Sequence, residues 1–401
     1  MPSPADLQPV RRSSSWNDAS ILELLSGRPR RVLLGPDNDA FAAAARQRGM
    51  SVSSSPPPEV TVVEGEWPGI RLSSERGAAD AGPTGAPWID ANYWRVQLAQ
   101  TLHPGKPVWV AASPPDKSRL AAPDAYVLAL ADAASAGGRW IIELSDTHAR
   151  EIAAGQPALW QRIEQALAFF DQHAEWKNFK PEAAFGVLSD FSESNEFLAG
   201  EILNLASRQH QPVRLLVKRD FGEASLKGLK AVVYADAEPP SPQLRKSLTA
   251  FAASGGAVIA GPAWGPVKAQ EPHPHYHVER VGKGRLASAA KDFDDPYLIA
   301  SDAQILMSHR HDPVRFWNAG SLGSYYTAST DGRRAVLHLF NFSARRREDP
   351  VSVWFARPYR SARWLRIDAP RPETLKPVTQ GGGVELHLPP VPVYAAVELE
   401  A

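Results

Sequence analysis

The chain has 401 residues, of which 43% are hydrophobic and 22% are charged, a composition that supports two or three hydrophobic cores. Its 44 Lys and Arg residues equal its 44 Asp and Glu residues, so no net charge favours nucleic acid or an anionic membrane as a partner. It contains no cysteine, which excludes disulfides, thiolate metal ligands and cysteine nucleophiles.

Membrane and export signals are missing from the sequence as it stands. No run of about 18 apolar residues occurs, and residues 1–16 lack the apolar stretch of a secretion signal. We therefore expect a soluble protein without a membrane partner, and the sequence leaves its localisation unknown, export included.

The first part of the chain predicts an arm followed by alternating strands and helices. Residues 1–20 are rich in Ser, Pro and Arg without periodicity, which predicts a loose arm before ILELL (21–25) within an N-terminal segment 1–29. Residues 30–180 follow a β-α-β pattern, with predicted strands at 30–35, 60–65, 88–91, 108–112 and 140–144. A complete eight-unit barrel takes about 200 residues or more. We therefore predict a truncated or irregular TIM-barrel-like (β/α) domain, with an open doubly wound sheet as the alternative.

Two further domains are predicted after residue 180. Residues 181–290 again alternate strands and helices, which predicts a small flavodoxin-like α/β domain. Residues 291–401 contain alternating apolar and polar runs without helical spacing, which predicts a C-terminal β-sandwich. The predicted fold class is therefore α/β plus β.

Two stretches of the chain carry a family resemblance. They are the middle segment FGVLSDF…EFLAGEILNLASRQHQPVRLLVKRD…LKAVVYADA…LRKSLTAFAASGGAVIAG (185–261) and the tail HLPPVPVYAAVELE (387–400). They resemble β-galactosidases built as a catalytic barrel, an amidotransferase-like trimerisation domain and a C-terminal β-sandwich. The resemblance implies a glycoside hydrolase that acts on carbohydrate, with a structural middle domain and a possible homo-oligomer. No cofactor is implied.

The catalytic motif of that family is not matched. Those β-galactosidases carry an Asn-Glu pair at the end of the fourth barrel strand and a second glutamate at the seventh. The only Asn-Glu dipeptide here, Asn195–Glu196, lies in the second predicted domain at a helix start. The usual acid pair therefore cannot be transferred, and a non-catalytic carbohydrate-binding or assembly protein with a degenerate hydrolase scaffold is the alternative.

Candidate site residues lie where apolar runs of the first domain end in polar or aromatic clusters. Hydrolysis of a glycosidic bond needs two carboxyl groups, and flat indole rings suit sugar faces. The carboxyl candidates are Asp90, Glu143, Glu64 and Glu66, with Asp90 and Glu143 as the preferred pair because Trp88 and Trp140 lie beside them. The alternative for Asp90 is to cap the next helix. The candidates for sugar binding are Trp67, Trp88, Asn92, Trp94, Arg95, Trp140 and Asp146.

One histidine-rich motif raises the question of a metal. In HPHYH the side chains of His273, His275 and His277 alternate, so an extended strand would present all three on one face. The flanking prolines and the absence of an acid at a ligand spacing favour an irregular linker instead. No metal site is predicted from the sequence.

Overall fold

The structure is a computed structural model that describes residues 7–14, 16, 19–25, 31–70, 89–114, 123–320, 322–342 and 350–401. Its first unit alternates short strands and helices. The elements are β1 (Gln8–Arg11), α1 (Ala19–Leu25), β2 (Arg31–Leu34), α2 (Ala40–Gln47), β3 (Ser51–Ser53), β4 (Thr61–Glu64), β5 (Gly69–Ile70), β6 (Ile89–Asp90), α3 (Tyr93–Leu102), β7 (Val108–Ala111), α4 (Pro123–Ser135), β8 (Arg139–Trp140), α5 (Asp146–Ala153) and α6 (Ala158–Gln172).

Six parallel strands of this unit form one ladder. Two three-stranded sheets, β3-β2-β1 and β4-β7-β8, are joined by a parallel bridge between Val10 and Ile142. The first strand in the chain therefore lies beside the last, as in a (β/α) barrel, whereas a doubly wound sheet would place the fourth strand there. Strands β3 and β4 do not pair among the described residues, so this part of the chain forms no closed barrel.

The helices of the first unit pack against one face of this ladder. Every helix from α1 to α6 contributes buried side chains to one large core, which also contains Val10, Leu33 and Val110 from the strands. The other strand face carries a small cluster that includes Val32 and Trp109 but no residue of a described helix. Helices on one side only are the arrangement of a barrel, in which the inner face holds strand side chains alone.

Part of the segment predicted as a loose arm forms a strand, and that prediction is wrong for residues 8–11. Gln8–Arg11 pairs with Arg31–Leu34 as a central strand. The strand is only four residues long and its partners lie far away in the chain, so no local periodicity marks it.

The second unit is a doubly wound α/β domain. After β9 (Lys180–Pro181) it contains β10 (Phe185–Ser189), α7 (Glu193–Arg208), β11 (Val213–Val217), β12 (Ala231–Tyr234), α8 (Pro242–Ser254), β13 (Ala257–Ala260), β14 (Tyr276–Val281), β15 (Gly284–Ala289) and α9 (Pro296–Met307). The sheet order is β11-β10-β12-β13-β15-β14, with only the edge strand β14 antiparallel. This is the flavodoxin-like order, in which the switch point lies between β10 and β12.

Two antiparallel sheets form the last unit. They are built from β16 (Val314–Trp317), β17 (Leu322–Ala328), β18 (Arg334–Asn341), β19 (Val351–Phe355), β20 (Ser361–Arg366), β21 (Ala369–Leu375), β22 (Val378–Gln380), β23 (Gly383–Leu388) and β24 (Tyr394–Glu400). One sheet has the order β16-β19-β23-β22 and the other β21-β20-β24-β18-β17-β9. Buried side chains from both sheets form a shared core.

The expected boundaries around the second unit need correction. Helix α9 falls in the region predicted to be all β, yet it packs on α7 and β12 of the second unit. Its start has a recognisable cap, because the Asp295 side chain accepts hydrogen bonds from the backbone of Tyr297 and Leu298, and Pro296 follows it. Strand β9 straddles the predicted boundary between residues 180 and 181, and it pairs with β17 of the sandwich.

The three units are not separated by solvent. The largest core cluster contains residues of all three, such as Trp160, Ile202 and Phe340. None of the helices in the described part of the chain combines the length and apolar character needed to cross a membrane.

Candidate functional site

The carboxyl ends of the parallel strands in the first unit gather charged side chains. Glu64 ends β4, Arg11 ends β1 and Glu143 follows the bridge that joins β8 to β1. Arg11 Nε and Glu143 Oε2 form an ion pair at 2.7 Å, in which the Glu143 side chain is 26% exposed. Arg11 is therefore the cationic partner of Glu143 at this end of the strands.

A buried amide fixes the segment that carries Glu66 and Trp67. The Asn92 side chain accepts from the backbone N–H of Glu66 at 2.8 Å and donates to the Glu66 carbonyl at 2.8 Å. A Cβ on Gly65 would lie 2.7 Å from the Asn92 side-chain oxygen, so only glycine allows this close approach. Asn92 is also the residue that precedes α3, which means that Asp90 does not cap that helix.

A buried aspartate holds this amide in place. Asp132 Oδ2 accepts from the backbone N–H of Asn92 at 2.6 Å and from its side-chain amide at 2.9 Å. Burial raises the pKa of Asp132 to about 6, although the hydrogen bonds from Asn92 act in the opposite direction. Asp132, with its raised pKa, is therefore a buried support for Asn92.

Aromatic rings pack next to the same segment. The ring of Trp67 meets Tyr126 and Trp140 edge-on, with centroid distances of 5.0 and 5.4 Å. Tyr126 in turn accepts a hydrogen bond from the backbone N–H of Ser145 and lies 5.9 Å from the ring of His148. Trp140 is fully buried, whereas Trp67 remains partly exposed. Of these two indoles, Trp67 is the one available to a ligand.

These contacts bring several of the predicted residues to one face. Glu66 and Trp67 are held by Asn92, which lies two residues after Asp90, while Tyr126 and Ser145 connect Trp67 to the loop of Glu143. Asp90 is half-buried on β6, which pairs antiparallel with β5 instead of joining the parallel ladder. Glu64 and Glu66 are exposed.

Other predicted residues lie elsewhere. Trp94 is buried against Gly200 of α7, and the Arg95 guanidinium lies over its ring at 4.5 Å, so both face the second unit. Asp146 is exposed at the first position of α5, where Ser145 provides the cap. Trp88 lies outside the described residues.

Sequence reasoning missed Arg11, Tyr126 and Asp132. Arg11 lies in the segment predicted as a loose arm, where no pattern indicates a functional role. Asp132 had a usable signal, because it is the only charged residue in the apolar run YVLALADAASAGG (126–138). An isolated acid on a buried helix requires a hydrogen-bonding partner, which is Asn92 here.

Among the described residues, two groups outside this face have a geometry in which a metal ion could be held. One consists of Asp190, Asp236 and Glu238, at the switch point of the second unit. The ammonium group of Lys218 already lies among them, 2.6 Å from Asp236 and 3.6 Å from Asp190, so these acids have a cation of their own. The other group is His273, His275 and Asp302.

Comparison with solved structures gives the class of fold. The chain matches α-L-fucosidase isoenzyme 2 from Paenibacillus thiaminolyticus at a TM-score of 0.54 and 11% identity, over 95% of this chain and 79% of that one. It matches a β-galactosidase from Bacillus circulans sp. alkalophilus at a TM-score of 0.53 and 10% identity, over 92% of this chain and 63% of that one. The protein therefore has a fold found in glycoside hydrolases, and it spans less than two thirds of the β-galactosidase.

The sequence comparisons give nothing closer. No protein-family model matches the chain, and no curated protein matches it. The predicted resemblance to glycoside hydrolases is confirmed at the level of fold.

Proposed function

We propose that this protein binds carbohydrate at the carboxyl-end face of the first unit and hydrolyses a glycosidic bond there. The observation that carries the proposal is the position of Glu143, a half-buried carboxylate at the end of the last parallel strand. It lies two residues before Ser145, whose backbone N–H donates to Tyr126, and the Tyr126 ring packs against the partly exposed Trp67. The order of the parallel strands and the one-sided helices support interpreting this unit as a truncated (β/α) barrel, whose active site belongs at this end.

The mechanism requires a second carboxyl group opposite Glu143. One acid protonates the glycosidic oxygen, and the other either attacks the anomeric carbon or activates water. Glu143, ion-paired with Arg11, suits the second role. Asp90 is the preferred acid because it is half-buried and pairs with Gly69, two residues after Trp67. Glu64 and Glu66 are the exposed alternatives.

The test is activity towards a panel of aryl glycosides, including an α-L-fucoside and a β-galactoside, and towards oligosaccharides. We expect Glu143→Gln and Asp90→Asn each to lower kcat at least 100-fold while the far-UV circular dichroism spectrum stays unchanged. Glu59→Gln is the matched control, because Glu59 is exposed just before β4, at the opposite end of that strand from Glu64. Turnover that survives both substitutions would remove these two acids from the mechanism.

A second function is favoured by one specific observation. Glu143 is already engaged in an ion pair with Arg11, and this arrangement also suits a non-catalytic carbohydrate-binding protein. In that case no aryl glycoside is turned over, but calorimetry detects oligosaccharide binding. Trp67→Ala then weakens this binding, because the exposed indole face is lost, while Trp67→Phe retains part of it.

A further inference from the structure

A compact group of metal-ligand side chains lies in the second unit. His273 and His275 precede the edge strand β14, and Asp302 lies on α9 with 5% of its surface exposed. His275 Nδ1 is 2.6 Å from Asp302 Oδ2, and His273 Nε2 is 3.9 Å from Asp302 Oδ1. One ligand atom from each residue fits within 4.8 Å of the others.

Ordered elements hold the three side chains on both sides. The segment of His275 is fixed because its carbonyl accepts from the backbone N–H of Ala290 at 2.9 Å, next to the β14–β15 pairing. Asp302 is fixed by the position of α9 on α7 and β12. Because the ligands come from two packed elements, the group is more than a histidine-rich surface loop.

The buried carboxylate also lacks a permanent cation. Among the described residues, the two histidines are the only ion-pair partners of Asp302. This differs from the switch-point acids, where Lys218 supplies the positive charge. A buried carboxylate is stabilised by a cation at short range. A metal ion held by His273, His275 and Asp302 would supply that cation.

A cavity of about 410 Å³ adjoins the group. Its lining includes His275 and Asp302 together with Tyr276, Phe293 and Leu298. Structural zinc sites are closed by four protein ligands, whereas sites that bind an exogenous group keep a position open. Three protein ligands beside a cavity correspond to the second kind.

We propose that His273 Nε2, His275 Nδ1 and the Asp302 carboxylate bind one divalent transition-metal ion, with a remaining coordination position facing the cavity. Two imidazoles and one carboxylate are a ligand set for zinc, iron(II) and related ions. On binding, the ion replaces the hydrogen bond between His275 and Asp302. The His273 ring then carries its proton on Nδ1, so the contact of Nδ1 with the backbone N–H of His275, 3.2 Å here, opens.

The test uses zinc chloride as the probe and isothermal titration calorimetry as the measurement. We expect one zinc ion per chain and at least tenfold weaker binding in His273→Ala, His275→Ala and Asp302→Asn. His277→Ala is the matched control, since His277 belongs to the same motif but is exposed on β14 and outside the group. Its dissociation constant should stay within twofold of the wild type. Cobalt(II) absorption reports the coordination geometry independently.

Three results would overturn the proposal. They are no zinc binding by the wild-type chain, unchanged binding in His275→Ala, or a loss in His277→Ala as large as that in His275→Ala. The last result would mean chelation by an exposed motif. Because the His275 side chain is 44% exposed, its replacement is not expected to prevent folding. The proposal does not depend on the carbohydrate function, so the two can fail separately.

Discussion

A single buried aspartate, Asp132, gives the stability of the folded protein a testable pH dependence. The pKa of Asp132 is about 6 in the folded protein because the group is buried, against an ordinary value of 3.8. Between pH 4 and 6 the folded chain keeps a proton that the unfolded chain has lost. The contribution of Asp132 to stability is therefore present below pH 4 and is lost as the pH rises through 6, by about 3 kcal/mol.

Asp132→Asn should remove this dependence, because the amide cannot ionise and its oxygen can still accept from Asn92. The measurement is the free energy of unfolding in urea at several pH values from 4 to 7, taken as the difference from the wild type. Asp124→Asn, at an exposed position of the same helix, should leave the slope unchanged. A parallel pH dependence in Asp132→Asn and the wild type would show that Asp132 does not titrate in this range.

At the residue scale, the sequence indicated some members of the site but not their partners. Glu143 and Trp67 were identifiable because carboxylates and indoles followed apolar runs. Arg11 was not, because its contact with Glu143 joins two ends of the first unit that are far apart in the chain. The sequence also did not show which indole stays partly exposed, since the burial of Trp67 and Trp140 depends on their packing in the folded chain.

At the element scale, the contact between α3 and α7 depends on one glycine. A Cβ on Gly200 would lie 2.6 Å from two ring atoms of Trp94, too close for any real contact. Gly200→Ala would gain up to about 1 kcal/mol of helix propensity. We nevertheless expect a net destabilisation of about 1–2 kcal/mol, because a packed interface must shift.

A double-mutant cycle, measured by unfolding in urea, separates the steric clash with Trp94 from the effect of helix propensity. In a Trp94→Phe background the ring is smaller, so Gly200→Ala should cost less or become stabilising. Equal effects of Gly200→Ala in both backgrounds would mean that Trp94 is not the obstacle. The cycle also tests whether Trp94 is a packing residue of the interface between the first and second units.

Elements with local signals were predictable, and those that depend on distant partners were not. Strands β4 and β7 lie within the predicted runs at 60–65 and 108–112, whereas β8 (Arg139–Trp140) overlaps the run at 140–144 only at Trp140. Ile89–Asp90 lies within another such run, yet pairs antiparallel with Gly69–Ile70, which no local pattern specifies. Helix α9 had a readable start in Asp295–Pro296, but the surrounding β pattern outweighed it.

At the scale of the whole molecule, tyrosine and phenylalanine side chains join the three units. Tyr93 of α3 donates its hydroxyl proton to the Leu203 carbonyl of α7 at 2.5 Å, and its ring lies 5.2 Å from that of Tyr325 in the sandwich. Phe169 of α6 contacts Tyr394 of β24, with ring centroids 5.9 Å apart. The mixed α/β plus β class followed from the sequence, but this shared core did not, because periodicity shows which face is apolar without showing what covers it.

The shared core predicts that the protein unfolds in one calorimetric transition, although chains with several units often do not. Phe340 of β18 belongs to this shared core, whereas Phe355 of β19 belongs to the core between the two sheets of the sandwich. Phe340→Ala and Phe355→Ala should each cost about 3–5 kcal/mol. If the units unfold together, each substitution moves a single peak to lower temperature, with calorimetric and van't Hoff enthalpies still equal. If the sandwich unfolds alone, Phe355→Ala splits the scan and leaves the transition of the other units in place, which would show that contacts such as Phe169–Tyr394 do not couple the sandwich to the other units.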